Sequence, residues 1–289
     1  DHCLYLKIET VVGHELLENN FPMIHAVGRA AAPGREPRLI KMQWGKAKAP
    51  KIALVGKGVC FDTGGLDIKA SNFMLLMKKD MGGAANILAL AQIIMELGLD
   101  LNLSVYLPSV ENSVSSDSFR PMDILTARDG TTVEIGNTDA EGRLILADAI
   151  VHACEDEPDI IIDMATLTGA ARVALGTDLP ALFSNDQEVA QNILEAGIAD
   201  DDPLWQLPLH KQYRKLLETD TADISSTGSG GYAGSITAAL FLEHFVSGNA
   251  SWCHVDLMAW NVSGKAAKPK GGEAQAIRAL LRYLETKYQ

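Results

Sequence analysis

The chain lacks the features that mark membrane, secreted and nucleic-acid-binding proteins. No stretch reaches the roughly 18 consecutive apolar residues of a transmembrane helix, so we expect no membrane span. The N-terminus has no charged region followed by an apolar one, so no signal peptide is expected. With 25 Lys and Arg against 37 Asp and Glu, the formal net charge of −12 disfavours nucleic acid and anionic membranes as partners.

Cysteine is scarce and scattered. The four cysteines are Cys3, Cys60, Cys154 and Cys253, and no two of them form a CxxC pair. This spacing is typical of reduced thiols and argues against a disulfide framework. We therefore expect a cytoplasmic location.

Polar side chains alternate in residues 137–144, NTDAEGRL, just before an apolar segment at 144–154 that predicts a helix. If this backbone is extended, Asn137, Asp139, Glu141 and Arg143 lie on one side. Two neighbouring carboxylates repel each other unless a cation lies between them, and a divalent metal is the usual one. The alternative is a helix N-terminus with Asp139 as its cap and Glu141 in its first turn.

A second polar segment, residues 56–69, follows the apolar run 52–55, which predicts a buried strand. Asp80 comes eleven residues after this segment. Loops that leave strand ends often carry catalytic groups. Each part also has a structural alternative: a tight turn at 62–65, a helix cap at Asp80 and solvated surface charges at Lys57 and Lys69. The residues alone support a carboxylate-rich metal site.

Alternating strand-like and helix-like segments predict an α/β fold with a mixed, largely parallel central sheet and helices on both faces. Apolar runs predict strands at 4–8, 24–27, 39–44, 52–55, 101–107 and 160–164. Helical spacing predicts helices at 83–97, 187–196, 236–246 and 273–285. A hairpin predicted at 124–127 and 131–135, around Asp129-Gly130, would make the sheet mixed.

Four segments together resemble the cytosolic leucyl aminopeptidase family of di-metal exopeptidases. They are GKGVCFDTGGLDIK at 56–69, KKDMGG at 78–83, NTDAEGRL at 137–144 and ATLTGA at 165–170, in the family's order and at matching spacings. The resemblance implies an enzyme that removes N-terminal amino acids from peptides with a free N-terminus. It also implies that residues 1–289 form a single catalytic domain. The family's separate N-terminal domain is expected to be absent, because Asp1 already falls inside the catalytic domain.

The resemblance implies a ligand set for two divalent metal ions. Asp62 and Glu141 would bridge the ions, Asp80 and Lys57 would complete one site, and Asp139 would complete the other. Four carboxylates supply the negative charge that two dications require, and such oxygen ligands suit Zn or Mn, or Mg or Co. Lysine binds a metal only as the neutral amine, a form that a neighbouring dication favours.

The resemblance also implies catalytic roles. A metal-bridging water would attack the first peptide carbonyl, and charged Lys69 would stabilise the resulting oxyanion. Arg143 would hold a bicarbonate that relays the proton, because a planar guanidinium suits a planar anion.

Further matching positions are expected to bind the substrate. Leu167 would present backbone groups to the peptide. Met77, Thr166 and Gly169 match positions that line the family's pocket for the substrate side chain. Asn137 is the remaining substrate-binding candidate. The segment after Asp256, LMAW, is bulkier than the small-residue pattern of leucine-preferring members, which leaves the preferred N-terminal residue open.

By resemblance, the protein is expected to form a homo-hexamer. Two alternatives to the aminopeptidase prediction remain: a di-metal hydrolase of another class, such as a phosphoesterase, and a non-catalytic DNA-binding or scaffold role. The second is disfavoured because all seven polar residues of the family's metal and catalytic set are present: Lys57, Asp62, Lys69, Asp80, Asp139, Glu141 and Arg143.

Overall fold

A computed structural model of the protein describes residues 6–264 and 266–288. The first two residues of the strand predicted at 4–8, and Cys3, lie outside the described part. The strands are β1 (Lys7–Val12), β2 (Arg38–Gly45), β3 (Lys51–Gly56), β4 (Gly58–Asp62), β5 (Asn102–Asn112), β6 (Ile124–Thr126), β7 (Thr132–Glu134), β8 (Ile160–Ala165), β9 (Ala181–Ser184), β10 (Trp205–Gln206), β11 (Ile224–Ser225), β12 (Ser251–Asp256), β13 (Trp260–Asn261) and β14 (Gly271–Gly272).

The α-helices of the described residues are α1 (Glu15–Glu18), α2 (Pro22–Gly28), α3 (Ser71–Met74), α4 (Gly82–Leu97), α5 (Glu141–Glu155), α6 (Gly169–Leu175), α7 (Gln187–Ala199), α8 (Gly234–His244) and α9 (Ile277–Tyr288). Short 3₁₀ helices lie at Met77–Lys79, Thr138–Ala140 and Lys211–Leu217. None of the described helices is both long and apolar enough to cross a membrane.

One large sheet organises the fold. Its strand order is β1-β2-β5-β3-β8-β12-β9-β10, with β4 also paired to β5. The central strands β5, β3, β8 and β12 run parallel to one another, whereas β1–β2, β2–β5 and β12–β9 are antiparallel pairs. The predicted mixed, largely parallel sheet is confirmed. Its mixed character does not come from the predicted hairpin, which forms as β6–β7 but belongs to a separate three-stranded sheet with β11.

Both faces of the large sheet are buried under helices, as predicted. On β3, Ala53 and Val55 belong to a core shared with α2, α5 and α8. Ile52 and Leu54, on the opposite face, belong to a core shared with α4, α7 and α9. Because alternate residues of a strand point to opposite faces, a strand covered on both sides needs a continuous apolar run.

The strand predicted at 24–27 is wrong, because these residues lie in α2. Pro22 occupies the first turn of this helix, where its missing N–H costs nothing. The backbone N–H groups of Met23 and Ile24 donate to Asp148 Oδ2 at 2.8 and 3.2 Å. This distant carboxylate on α5 satisfies donors that would otherwise be unpaired at the helix start.

The central parallel strands position the polar groups of interest at one edge of the sheet. Lys57 directly follows β3, Thr166 directly follows β8, and Asp256 is the last residue of β12. In sheets of this type, ligands bind beyond the carboxyl ends of the parallel strands. We therefore expect a ligand site at the edge of the sheet that carries these three residues.

Candidate functional site

Four carboxylates converge at this edge from four chain segments. Asp62 ends β4, Asp80 follows the 3₁₀ helix Met77–Lys79, Asp139 lies in the 3₁₀ helix Thr138–Ala140, and Glu141 is the first residue of α5. Carboxylate oxygens of Asp62, Asp139 and Glu141 lie within 4.8 Å of one another, a spacing that allows a shared metal ion. Asp80 joins them through Lys57, which contacts both Asp80 and Glu141.

The backbone of residues 137–144 is not extended, contrary to the first sequence interpretation. Only Asn137 is extended (φ −159°, ψ 128°), and its Oδ1 accepts a 2.7 Å hydrogen bond from the Asp139 N–H. This cap starts the 3₁₀ turn that leads directly into α5. The helix-start alternative is right about Glu141, but Asn137 is the residue whose side chain caps the turn. Asn137, a predicted substrate-binding residue, is exposed and does not line the cavity beside the carboxylates.

Lys57 lies buried among the carboxylates. Its Nζ is 2.8 Å from Asp80 Oδ2 and 2.9 Å from Glu141 Oε1, and it donates to the Thr166 carbonyl at 3.0 Å. Burial disfavours the ammonium, but the surrounding carboxylates outweigh burial and raise the pKa of Lys57. A Cβ on Gly142 would lie 2.7 Å from Lys57 Cε, so only glycine lets the lysine stem pass across the start of α5.

Lys69 contacts the other half of the cluster. Its Nζ lies 2.8 Å from Asp62 Oδ2 and also pairs with Asp139. Burial works against the charged form, yet these ion pairs raise the pKa of Lys69. The tight turn proposed at 62–65 also exists, with Gly64 and Gly65 at φ +87° and +66°. Turn and site are therefore compatible, because the turn brings Lys69 back onto Asp62.

The cluster is short of positive charge and of hydrogen-bond donors. Its four carboxylates face two ammonium groups, and Asp80 Oδ2 and both oxygens of Glu141 are buried without an aligned donor among the described residues. Burial and the nearby Asp62 carboxylate raise the pKa of Glu141 to about 8. Buried carboxylate oxygens normally have partners, and oxygen ligands of this kind suit divalent cations. The residues present therefore fit a site for divalent metal ions.

Arg143 is buried on α5, close behind Glu141 in sequence. Its Nη1 donates to the Ser226 carbonyl at 2.7 Å, and its Nε is buried without a hydrogen-bond partner among the described residues. Burial lowers the pKa of Arg143 to about 10. Arg143 does not line the cavity beside the carboxylates.

A cavity of about 310 Å³ opens beside the carboxylates. Five of the predicted metal and catalytic residues line it, namely Lys57, Asp62, Lys69, Asp80 and Asp139. Four of the five predicted substrate-binding residues also line it: Met77, Thr166, Leu167 and Gly169. The structure thus brings most of the predicted site to one cavity.

Residues that the sequence interpretation did not assign hold this site in place. Asn112, at the end of β5, donates through Nδ2 to Asp62 Oδ1 at 2.8 Å. Asp256, at the end of β12, accepts hydrogen bonds from the backbone N–H groups of Leu167 and Thr168, each at 3.1 Å. The position of Asp256 at a strand end was a signal for this role, whereas nothing in the sequence around Asn112 pointed to Asp62.

Two cations at the cavity were also missed. Lys79 is buried, and desolvation lowers its pKa to about 8. Arg172 lies in α6, with Nη1 3.6 Å from the sulfur of Met258, part of the bulky segment noted after Asp256. The available signal for Lys79 was its place directly before the predicted ligand Asp80.

Comparison with known proteins agrees with the motifs. The sequence model of the cytosol aminopeptidase family, catalytic domain, matches residues 2–281. Proteins named probable cytosol aminopeptidase from Syntrophotalea carbinolica and Pseudomonas fluorescens SBW25 are each 44% identical over 96% of this chain. The chain spans 56% of the length of each of these relatives.

Two solved structures are also similar. A crystal structure of cytosol aminopeptidase from Coxiella burnetii matches 98% of this chain and 62% of its own, with 52% identity and a TM-score of 0.95. The bottromycin maturation enzyme BotP in complex with Mn matches 98% of this chain and 63% of its own, with 38% identity and a TM-score of 0.92. The family that the four sequence motifs predicted is confirmed, and this chain belongs to the cytosol aminopeptidase family.

Proposed function

We propose that residues 1–289 act as the catalytic domain of a metal-dependent aminopeptidase that removes N-terminal residues from peptides. The observation that carries the proposal is the cluster of four carboxylates, three of whose buried oxygens lack an aligned hydrogen-bond donor, beside a cavity of about 310 Å³. Family membership supports the reaction class. The chain spans only about half the length of its curated relatives, so the activity of the whole protein is proposed here by analogy with them.

In this proposal Lys57, Asp62, Asp80, Asp139 and Glu141 are the residues that would hold two divalent metal ions. When bound, the ions supply positive charge that acidifies water and polarises a peptide carbonyl. Mn and Zn are the favoured metals, and Mn is supported by the similar BotP structure, which is in complex with Mn. Lys57 binds as the neutral amine, because metal and proton compete for the same lone pair.

Lys69 acts on the reacting carbonyl. Its ammonium pairs with Asp62 and Asp139, whose charge the bound cations would take over. The loop fixes its position, because the Lys69 N–H donates to the Thr63 carbonyl at 2.9 Å. A positioned ammonium of this kind stabilises the oxyanion that forms when the carbonyl is attacked.

The remaining residues bind and orient. Met77, Thr166 and Gly169 surround the first side chain of the peptide, and Leu167 offers backbone groups to its main chain. Arg143 holds a planar anion, proposed as bicarbonate, through the guanidinium face that includes its unpartnered Nε. When bound, such an anion would supply a group that can accept and donate a proton.

The proposal also includes a location and an oligomeric state, both based on the family resemblance. We propose a cytoplasmic location, supported by relatives named cytosol aminopeptidases. A homo-hexamer rests on the resemblance alone. The full-length protein should therefore sediment at six times its chain mass, and a monomer would contradict this part of the proposal.

The test compares three chromogenic substrates on the Mn- or Zn-loaded protein: leucyl p-nitroanilide, N-acetyl-leucyl p-nitroanilide and p-nitrophenyl phosphate. The proposal predicts hydrolysis of the first alone, since a free amino terminus is required. A Glu141→Gln variant is the control, because it keeps the size of the side chain and removes its charge. Hydrolysis of the phosphate ester without the amide would favour the phosphoesterase alternative.

A further inference from the structure

Lys79 is a cation that the proposed chemistry does not use. Its side chain is only 2% exposed, yet it lines the cavity that also contains the predicted metal ligands. The nearest carboxylate oxygen, Asp80 Oδ1, is 3.9 Å from Nζ, and no described residue accepts a hydrogen bond from this nitrogen. The Lys79 ammonium thus has one long contact with a carboxylate and lines the cavity, where a ligand could accept a hydrogen bond from it.

Arg172 is a second weakly paired cation at the same cavity. It is half-buried at the cavity, and its Nη1 contacts only the weakly accepting sulfur of Met258 at 3.6 Å. None of the described carboxylates forms an ion pair with its guanidinium. Two cations that have only long or weak contacts with the protein thus face one cavity, from the 3₁₀ helix Met77–Lys79 and from α6.

The charge balance becomes more positive once metals are bound. Two dications would cancel the four carboxylates of the cluster, leaving Lys69, Lys79 and Arg172 as positive groups at the cavity. Asp256 is a further carboxylate that acts on Lys79. Its oxygens already accept hydrogen bonds from the backbone N–H groups of Leu167 and Thr168 and from the Thr168 hydroxyl.

We propose that this cavity selects substrates whose N-terminal residue carries a carboxylate side chain, Glu or Asp, with Lys79 and Arg172 as the specificity-determining residues. The inference rests on the proposed aminopeptidase function and names its substrate class. A substrate carboxylate would give Lys79 the acceptor it lacks and would suit the planar donors of Arg172. Met77, Thr166 and Gly169 line the same cavity and add no charge to it.

The experiment compares glutamyl and glutaminyl p-nitroanilides on the Mn-loaded protein. These two substrates have nearly the same shape and differ in the side-chain charge. We expect kcat/KM for the glutamyl amide to exceed that for the glutaminyl amide by about 10- to 100-fold, the scale of one hydrogen bond between charged groups in place of a neutral one. A ratio near one would overturn the proposal. Equilibrium binding of the products L-glutamate and L-glutamine, measured by calorimetry, should show the same order.

Variants locate the effect. Lys79→Met keeps the length of the side chain and removes its charge, and it should lower the glutamyl-to-glutaminyl ratio about tenfold or more. Lys79→Glu should shift the preference towards lysyl amides. Lys78→Met is the matched control, because this neighbouring lysine is exposed, lies over the Trp260 ring and does not line the cavity. An equal fall in the ratio for both methionine variants would contradict the assignment, provided elemental analysis finds equal metal content.

The outcomes separate this inference from the proposed function. If no aminoacyl amide is hydrolysed by the metal-loaded protein, the aminopeptidase proposal fails. If leucyl and glutaminyl amides are hydrolysed but the glutamyl amide has no advantage, only the specificity inference fails. If dipeptides are preferred over dipeptide amides while the glutamyl-to-glutaminyl ratio stays near one, the cations bind the peptide's terminal carboxylate and the inference is also overturned.

Discussion

Lys57 offers the sharpest test of how the carboxylate cluster is stabilised. Its ammonium, 3% exposed, lies within 2.9 Å of both Asp80 and Glu141. Lys57→Met removes this charge and leaves two buried carboxylates without their cation. Breaking a buried pair from one side costs about 3–5 kcal/mol. With an unfolding entropy of about 2.1 cal/mol/K per residue, this corresponds to a fall in Tm of roughly 5–8 °C for a chain of 289 residues.

The assay is calorimetric unfolding of wild type and variant, first in chelator and then across a Mn titration. Lys57→Met should bind Mn more weakly, because it lacks the amine ligand, and high Mn should restore part of both the stability and the rate. Saturation at 100 times Kd stabilises a protein by about 2.7 kcal/mol, so part of the loss is recoverable.

Lys69→Met is the matched control for this prediction. The Lys69 side chain is more exposed, 13% against 3%, so its loss should cost less stability in chelator. The Lys69→Met variant should keep both metals, and its turnover should fall by about 10²–10³-fold, the usual effect of losing one oxyanion donor. The reasoning is refuted if Lys57→Met is as stable as wild type in chelator, or if Lys69→Met loses metal while Lys57→Met keeps it.

Two further predictions concern single positions. Gly142→Ala would place its Cβ 2.7 Å from Lys57 Cε, so it should displace the lysine and weaken Mn binding in a titration. Gly272→Ala, with nothing within 4 Å of its Cβ, is the control, and equal Mn affinity in both variants would contradict the clash. Burial raises the pKa of Asp148 to about 7 from its usual value near 4, so its protonated form is favoured in the folded state. Wild type should therefore lose stability relative to Asp148→Asn as pH rises from about 4 to 7, by up to about 1.4 kcal/mol per pH unit. Urea unfolding of both proteins at several pH values measures this. A stability difference independent of pH would show that the backbone N–H groups of Met23, Ile24 and Arg128, which donate to Asp148, keep the carboxylate ionised throughout.

The sequence predicted those parts of the fold that depend on local patterns. Residues 52–55 and 160–164 were recognised as strands because both faces of the sheet demand continuous apolar runs there. Helix α4 was recognised from its helical spacing and differs from the prediction by one residue at its start. The carboxylates were found because they lie in short segments that resemble those of a known family.

The errors concern features that depend on distant contacts. Residues 24–27 are apolar enough for a strand, and the partner that favours a helix, Asp148, lies more than a hundred residues away. The hairpin at Asp129-Gly130 was recognised, but its separation from the large sheet is decided by pairing with β11. The burial of Lys79 could not be predicted from the sequence either, because most lysines lie on the surface and only tertiary packing buries this one.

The central claim is that the cluster of Asp62, Asp80, Asp139 and Glu141 holds two catalytic metal ions. The most direct measurement is metal content by elemental analysis, taken alongside hydrolysis of aminoacyl amides, before and after chelation and again after Mn or Zn is restored. The account predicts two divalent ions per chain, loss of activity on chelation and recovery on reloading. Full activity in exhaustively demetallated protein would contradict it.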